Sequence, residues 1–105
     1  MATDKKSIET IVEKLQPLEI VARPMFGEYG LYYEGKNFGL VCDNTLFVKI
    51  TAAGAAVAGR VAQGPPYDGA KPAYRISSTK LNDRDWIISL VKVTSDALPL
   101  PKKRK

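Results

Sequence analysis

The sequence predicts an α+β fold of two layers, with helices packed on an antiparallel β-meander. Three observations carry that expectation. Apolar residues recur at helical spacing near both ends of the chain. Between residues 19 and 50 the period switches to alternation. The alternating segments are separated by two- or three-residue turn signals, which join only antiparallel neighbours. The expected order is helix, four strands, helix, strand, helix.

Ile8, Ile11, Val12 and Leu15 stand at i, i+3, i+4 and i+7 and define one face of a helix over residues 3–16. Thr3 or Asp4 is its cap and Pro17 its stop. Strands are expected at residues 20–26, 30–34, 38–42 and 45–50. Their connections are Gly27, Glu28 and Tyr29; Gly35, Lys36 and Asn37; and Asp43 with Asn44. Leu46, Val48 and Ile50 alternate with Phe47 and Lys49, giving one apolar face and one mixed face. Met25, Phe26 and Leu31 read as structural. Thr51 caps an alanine-rich helix over residues 52–62. Gly54 and Gly59 weaken it by about 1 kcal/mol each, and its thinness lets it lie close to a neighbour. Residues 64–72 are too rich in proline for a helix or an inner strand. Residues 73–77 form a fifth strand.

Asn82, Asp83, Arg84 and Asp85 read as a helix start with acids in the first turn. Trp86, Ile87, Ile88, Leu90, Val91 and Val93 follow. That is more apolar surface than one sheet contact needs. The surplus makes Ile88, Val91 and Lys92 candidates for self-association as a homodimer through this helix.

At 105 residues the chain is one domain, expected over residues 1–98 with a flexible basic tail at 99–105. Apolar residues at 45% fit a globular protein. No apolar run approaches the roughly 18 residues of a membrane helix, and the amino terminus lacks a signal-peptide apolar core. The expected location is cytoplasmic. The net charge of +5 is concentrated at the end: without Lys102, Lys103, Arg104 and Lys105 the chain holds twelve cations against eleven acids, a net of +1. The basicity is therefore a tail, and not a basic face. Those four residues are the nucleic-acid candidates. Their contact with DNA would be weak, salt-sensitive and sequence-independent.

Catalysis finds little support. The chain has no histidine, so the commonest general base and metal ligand is missing. No zinc spacing or phosphate-binding loop is present. Cys42 is the one cysteine and reads as a buried strand thiol. Asp83 and Asp85 read as capping acids. The chain is expected to be no enzyme, with no catalytic, cofactor-binding or metal-ligating residues.

A set of aromatic and basic residues remains: Arg23, Phe26, Tyr29, Tyr32, Tyr33, Phe38, Phe47 and Lys49. Rings on a sheet beside cations are one way to hold single-stranded nucleic acid. The plainer reading is that the rings make the core. Arg23 either clamps Glu28 or Glu34 across a turn or presents its fork to an acidic partner. Tyr67, between Pro66 and Asp68, is either an exposed binding element or a lid on the sheet.

The stretch from residue 23 to 50, above all Met25, Phe26 and Gly27 with Tyr29 and Gly30, resembles the TfoX amino-terminal domain family. Pro66 with Tyr67, and Lys71 through Arg75, agree with that family's loop and final strand. The likeness covers most of residues 5–97. Glu28 stands where many relatives carry a second glycine. The resemblance implies helices packed on an antiparallel sheet, and a role in regulating the genes for DNA uptake in bacterial competence. Longer members add a carboxy-terminal domain, and this chain stops before one. What carries over is a non-enzymatic interaction domain acting on an unknown protein partner. The alternative is a weak single-stranded nucleic-acid binder using the sheet aromatics and the tail. The candidate partner-binding residues are Arg23, Glu28, Tyr29, Lys49, Tyr67 and Arg75.

Overall fold

The computed structural model describes residues 4–25, 28–67 and 69–98, with Met25 as backbone alone. The Thr3 cap, the Met25 and Phe26 side chains, and Lys102, Lys103, Arg104 and Lys105 lie outside the described residues. Within them the order is α1 (Lys5–Lys14), β1 (Ile20–Met25), β2 (Glu28–Tyr33), β3 (Lys36–Cys42), β4 (Thr45–Val48), α2 (Ala52–Ala58), β5 (Gln63–Gly64), β6 (Ala73–Ile76), α3 (Ser78–Leu81) and α4 (Arg84–Ala97). The sheet runs β1-β2-β3-β4-β6-β5, with every neighbouring pair antiparallel. The expected two-layer α+β architecture is present.

Local chemistry sets the element ends. Asp4 caps α1, its carboxylate accepting from the Ser7 N–H. The β2–β3 and β3–β4 hairpins turn on Glu34 and Gly35 and on Asp43 and Asn44, all four at positive φ. Left-handed backbone at both turn residues matches the twist of paired strands. The first turn thus falls one residue earlier than expected, and β3 starts at Lys36. Thr51 caps α2 through the Gly54 N–H at 2.9 Å. That helix stops at Ala58 rather than at residue 62, because Gly59 takes φ 63°. Beyond the residues released by this early stop, Gln63 and Gly64 form β5, an unexpected two-residue strand on β6. Ser77 caps the short α3, and Asp83 caps α4.

Three of the described helices supply the buried core, and Leu81 of α3 packs against its edge. Ile8, Ile11 and Leu15 of the α1 segment, Ala58 of α2, and Ile87, Leu90 and Val91 of α4 meet Leu31, Val41, Leu46, Val48, Tyr74 and Ile76 of the sheet. Burying a large apolar side chain of this kind stabilises by about 1.5–3 kcal/mol. The thinness of α2 is used as expected. A Cβ on Gly54 would lie 3.0 Å from Thr94 Oγ1 and 3.6 Å from Leu90 Cδ1, so the absence of a side chain lets α2 settle on α4. Trp86 seals the contact, its indole N–H donating to the Val57 carbonyl at 2.9 Å.

This packing absorbs the apolar surplus of α4. Val91 is fully buried among residues of its own chain and is not available to a second copy. That corrects its grouping with Ile88 and Lys92. Ile88 is half-buried and packs on the same core, and Lys92 is exposed.

One irregularity interrupts the meander. Leu31 faces Gly39, but Tyr32 faces Asn37, so Phe38 is an extra residue in β3. The Asn37 side-chain amide donates to the Leu31 carbonyl at 3.0 Å and to the Gly39 carbonyl at 2.9 Å. The Phe38 carbonyl accepts the Lys49 N–H at 2.8 Å. The bulge drives the Phe38 ring fully into the core. Beside it, β4 comes so close that a Cβ on Gly39 would stand 2.3 Å from the Phe47 carbonyl oxygen. Gly39→Ala should therefore cost about 1–3 kcal/mol, the usual range for overpacking, because backbone has to move. Gly64→Ala, with no atom within 4 Å of the added Cβ, should change stability by less than about 0.5 kcal/mol. Urea denaturation of both variants checks this; equal midpoints would mean that β3 and β4 are not so closely apposed.

Candidate functional site

Strand residues alternate between the helix-covered face and an outer face. The register places a row across the outer face: Arg23 opposite Gly30, Gly30 opposite Leu40, Leu40 opposite Phe47, and Phe47 opposite Arg75. Cys42, Phe47 and Ala73 form a small second cluster there, with Leu40 packed against it. Among the described residues no helix joins this cluster. It is partly roofed by the loop after β5.

That loop and the end of β4 enclose a groove of about 450 Å³. Its floor is Leu40, Phe47 and Ala73. Pro66, Tyr67 and Pro72 form one wall, and Lys49, Ile50 and Lys71 form the rim. Three large hydrophobic residues are notably exposed among the described residues: Val21, Ile50 and Tyr67. Two of the three line this groove. Tyr67 is 58% exposed, which settles its two sequence readings in favour of an exposed ring rather than a closed lid. Lys49 is exposed overall, yet the groove withdraws enough solvent to push its ammonium pKa below the ordinary lysine value.

The other sequence candidates have separate environments. Arg23 lies with its guanidinium 5.6 Å from the centre of the Tyr32 ring, a cation–π contact on the outer face. The Glu28 carboxylate accepts the Asp43 N–H at 3.2 Å, bridging β2 to the β3–β4 turn. Tyr29 turns toward the helices and packs on the main core. Arg75 is exposed on β6 and reaches a different cleft. The site thus unites Lys49 and Tyr67 but leaves Arg23, Glu28, Tyr29 and Arg75 outside it. Lys71, Ile50 and Leu40 were missed as site residues. The available signal was the pairing of Lys71 with Pro72 at the loop end, and the outward parity of Leu40 with Phe47.

The cleft bordered by Arg75 is larger, about 740 Å³, and lies beside the start of α1. Several of its polar groups are already committed to structure. Asp4 accepts from Ser7, Asn44 Oδ1 accepts the Asp4 N–H at 2.9 Å, and Ser77 accepts the Lys80 N–H. It is a seam between elements. Most of the rings weighed for nucleic-acid stacking are likewise spent on packing. Phe38 is fully buried, Phe47 is 7% exposed, and Tyr33 packs on the main core.

The arrangement is that of a small α+β domain with one sheet face sealed by helices and the other carrying a shallow apolar groove rimmed by lysines. The chain belongs to the TfoX N-terminal domain family, whose model matches residues 12–98. It is also similar to a Spirochaeta aurantia protein described as an uncharacterized 12.7 kDa protein in the trpE 5' region, 38% identical over 106 residues that span all of this chain and 91% of that protein. Among the described residues no helix is long and apolar enough to cross a membrane, and no three Cys, Asp or Glu side chains gather as a metal-ligand group.

Cys42 lies on the outer face beside the groove floor and is buried. Burial, and secondarily the Glu28 carboxylate, push its thiol pKa up. A raised pKa leaves less thiolate at any pH below it, and thiolate is the reactive form. Cys42 should therefore react with a water-soluble aromatic disulfide at pH 8 at least about tenfold more slowly in the folded chain than in denaturant. Equal rates would place the thiol in open solvent.

Proposed function

We infer that this chain is a non-enzymatic regulatory domain that acts through protein contacts in the control of bacterial DNA-uptake genes, and that its contact surface is the outer face of the sheet. Membership of the TfoX N-terminal domain family supports the regulatory role. The absence of histidine supports a role without acid–base chemistry. The observation that carries the choice of surface is the exposure of Ile50 and Tyr67 around one groove, which the described helical layer reaches only through Leu98 at the end of α4. Adjacent exposed apolar groups in a polar setting mark interaction sites. Lys102, Lys103, Arg104 and Lys105 add a weak electrostatic hold on nucleic acid near the target.

The test is genetic. Deleting the coding sequence should change transcript levels of the DNA-uptake genes, and the wild-type chain should restore them. Tyr67→Ala, at an exposed position, should leave stability within about 0.5 kcal/mol of wild type yet fail to restore them. Unchanged transcripts on deletion would remove the competence role. Full restoration by Tyr67→Ala would move the contact surface elsewhere.

A further inference from the structure

We propose that the groove between β4, β6 and the loop of residues 65–72 docks a short acidic peptide segment of a partner protein. An apolar side chain of that segment sits on Leu40, Phe47 and Ala73 beneath Tyr67, and flanking carboxylates meet Lys49 and Lys71. This inference rests on the interaction reading above and specifies the chemistry of the partner.

Charge complementarity identifies the occupant. The body of the chain is nearly neutral, but acids are sparse on its strands. The outer face carries Arg23, Lys49 and Arg75 on or beside its strands, and Lys71 on the roofing loop. Its strands offer one carboxylate, Glu28, which already accepts the Asp43 N–H. Among the described residues the groove lining holds two lysines and no acid; Asp68 of the same loop lies outside the described residues. An exposed cation on a protein surface usually has nearby acids to offset it. Here loss of solvent disfavours the charge of Lys49, and among the described residues no carboxylate offsets it. An incoming carboxylate would supply the missing partner, and its contact with an already part-desolvated ammonium gains over one in open water.

The floor argues against a purely electrostatic ligand. Leu40, Phe47 and Ala73 are apolar, and Ile50 and Tyr67 extend that surface above them. A volume of about 450 Å³ lies at the small end of ligand pockets and suits one or two apolar side chains of a peptide. A nucleic-acid strand asks for something else: a train of cations along the backbone and successive exposed rings. The groove offers one exposed ring, Tyr67, and two cations. The peptide is therefore the better fit.

The experiment is a titration of the full 15N-labelled chain, read by backbone amide shifts. The probe is a capped octapeptide of alternating glutamate and leucine. The same peptide with lysine in place of glutamate and a twelve-nucleotide oligo-dT serve as comparison arms. The acidic peptide should shift the amides of Leu40, Phe47, Lys49, Ile50, Tyr67, Lys71 and Ala73, with an affinity that falls as salt rises. Lys49→Glu with Lys71→Glu should weaken it about tenfold, a loss in line with two exposed ion pairs plus repulsion. The amide spectrum of that variant reports its folding; if it does not fold, Lys49→Gln with Lys71→Gln takes its place, with a loss of about threefold expected. No shifts, shifts elsewhere, or equal affinity of the variants would overturn the proposal. So would tighter binding of oligo-dT at the same residues, which would make this a nucleic-acid surface. If deletion alters the uptake genes but the peptide does not bind, the regulatory reading stands and the acidic-peptide groove falls. If the peptide binds as described but the uptake genes do not respond, the groove stands and the competence role falls.

Discussion

Two hydrogen bonds from the Asn37 side chain hold the bulge on which the two faces of this sheet depend. They pair with the carbonyls of Leu31 and Gly39, on either side of the extra residue Phe38. Side-chain parity in a strand has period two, so one inserted residue reverses every assignment beyond it. Before the bulge, Lys36 reaches under the helices to the Ser95 carbonyl near the end of α4, at 3.0 Å. That is where a cation complements the helix dipole. After the bulge, Val41 faces the core while Leu40 and Cys42 face outward. Without the insertion Lys36 would share the parity of Leu40 and Cys42 and point away from α4.

The same bulge shapes the groove. Its central residue presents a carbonyl that accepts the Lys49 N–H, fixing the backbone of the rim where β4 ends. Gly39, next in line, lets β4 approach until no side chain fits between them. Phe47 then lies over Leu40 as the floor. On the opposite face, Gly54 plays the corresponding part by letting α2 close on α4. Helical packing uses the apolar surplus there, and exposed apolar surface is left to the outer face. The strands contribute a single acid, Glu28, so the cations of the outer face have few carboxylates beside them among the described residues.

The fold was largely legible because most of its signals are local. The helix caps Asp4, Thr51 and Asp83, the Asp43–Asn44 turn, and the i, i+3, i+4, i+7 face of α1 all need only near neighbours to act. What escaped the sequence involved competition or distance. Gly59 ends α2 early by taking a left-handed conformation, a choice that alanine-rich propensity around it conceals. β5 exists only because β6 offers an edge, and two residues carry no period. The Phe38 bulge is invisible in a run that alternates well enough without it. The site was half legible for the same reason. Lys49 and Tyr67 stood out by residue type and loop context. Leu40, Ile50 and Lys71 join them only through strand register and the return of the loop. Val91 looked available because α2 looked too thin to take up the apolar surplus of α4; thinness lets α2 settle on Leu90 and Thr94, and Val91 is buried in the main core.

The claim at the centre of this account is that one sheet face is sealed and the other is exposed around Tyr67. Hydroxyl-radical footprinting of the native chain, read residue by residue by mass spectrometry, tests it most directly. Tyr67 and Ile50 should be oxidised at rates close to those of the denatured chain, as their exposures of 58% and 40% require. Tyr74, Phe38 and Leu31, at 2%, 0% and 0%, should be protected at least about tenfold, as befits a close-packed interior. Protection of Tyr67 matching that of Tyr74, or oxidation of Phe38 and Tyr74 as fast as Tyr67, would contradict the division of faces from which the site is derived.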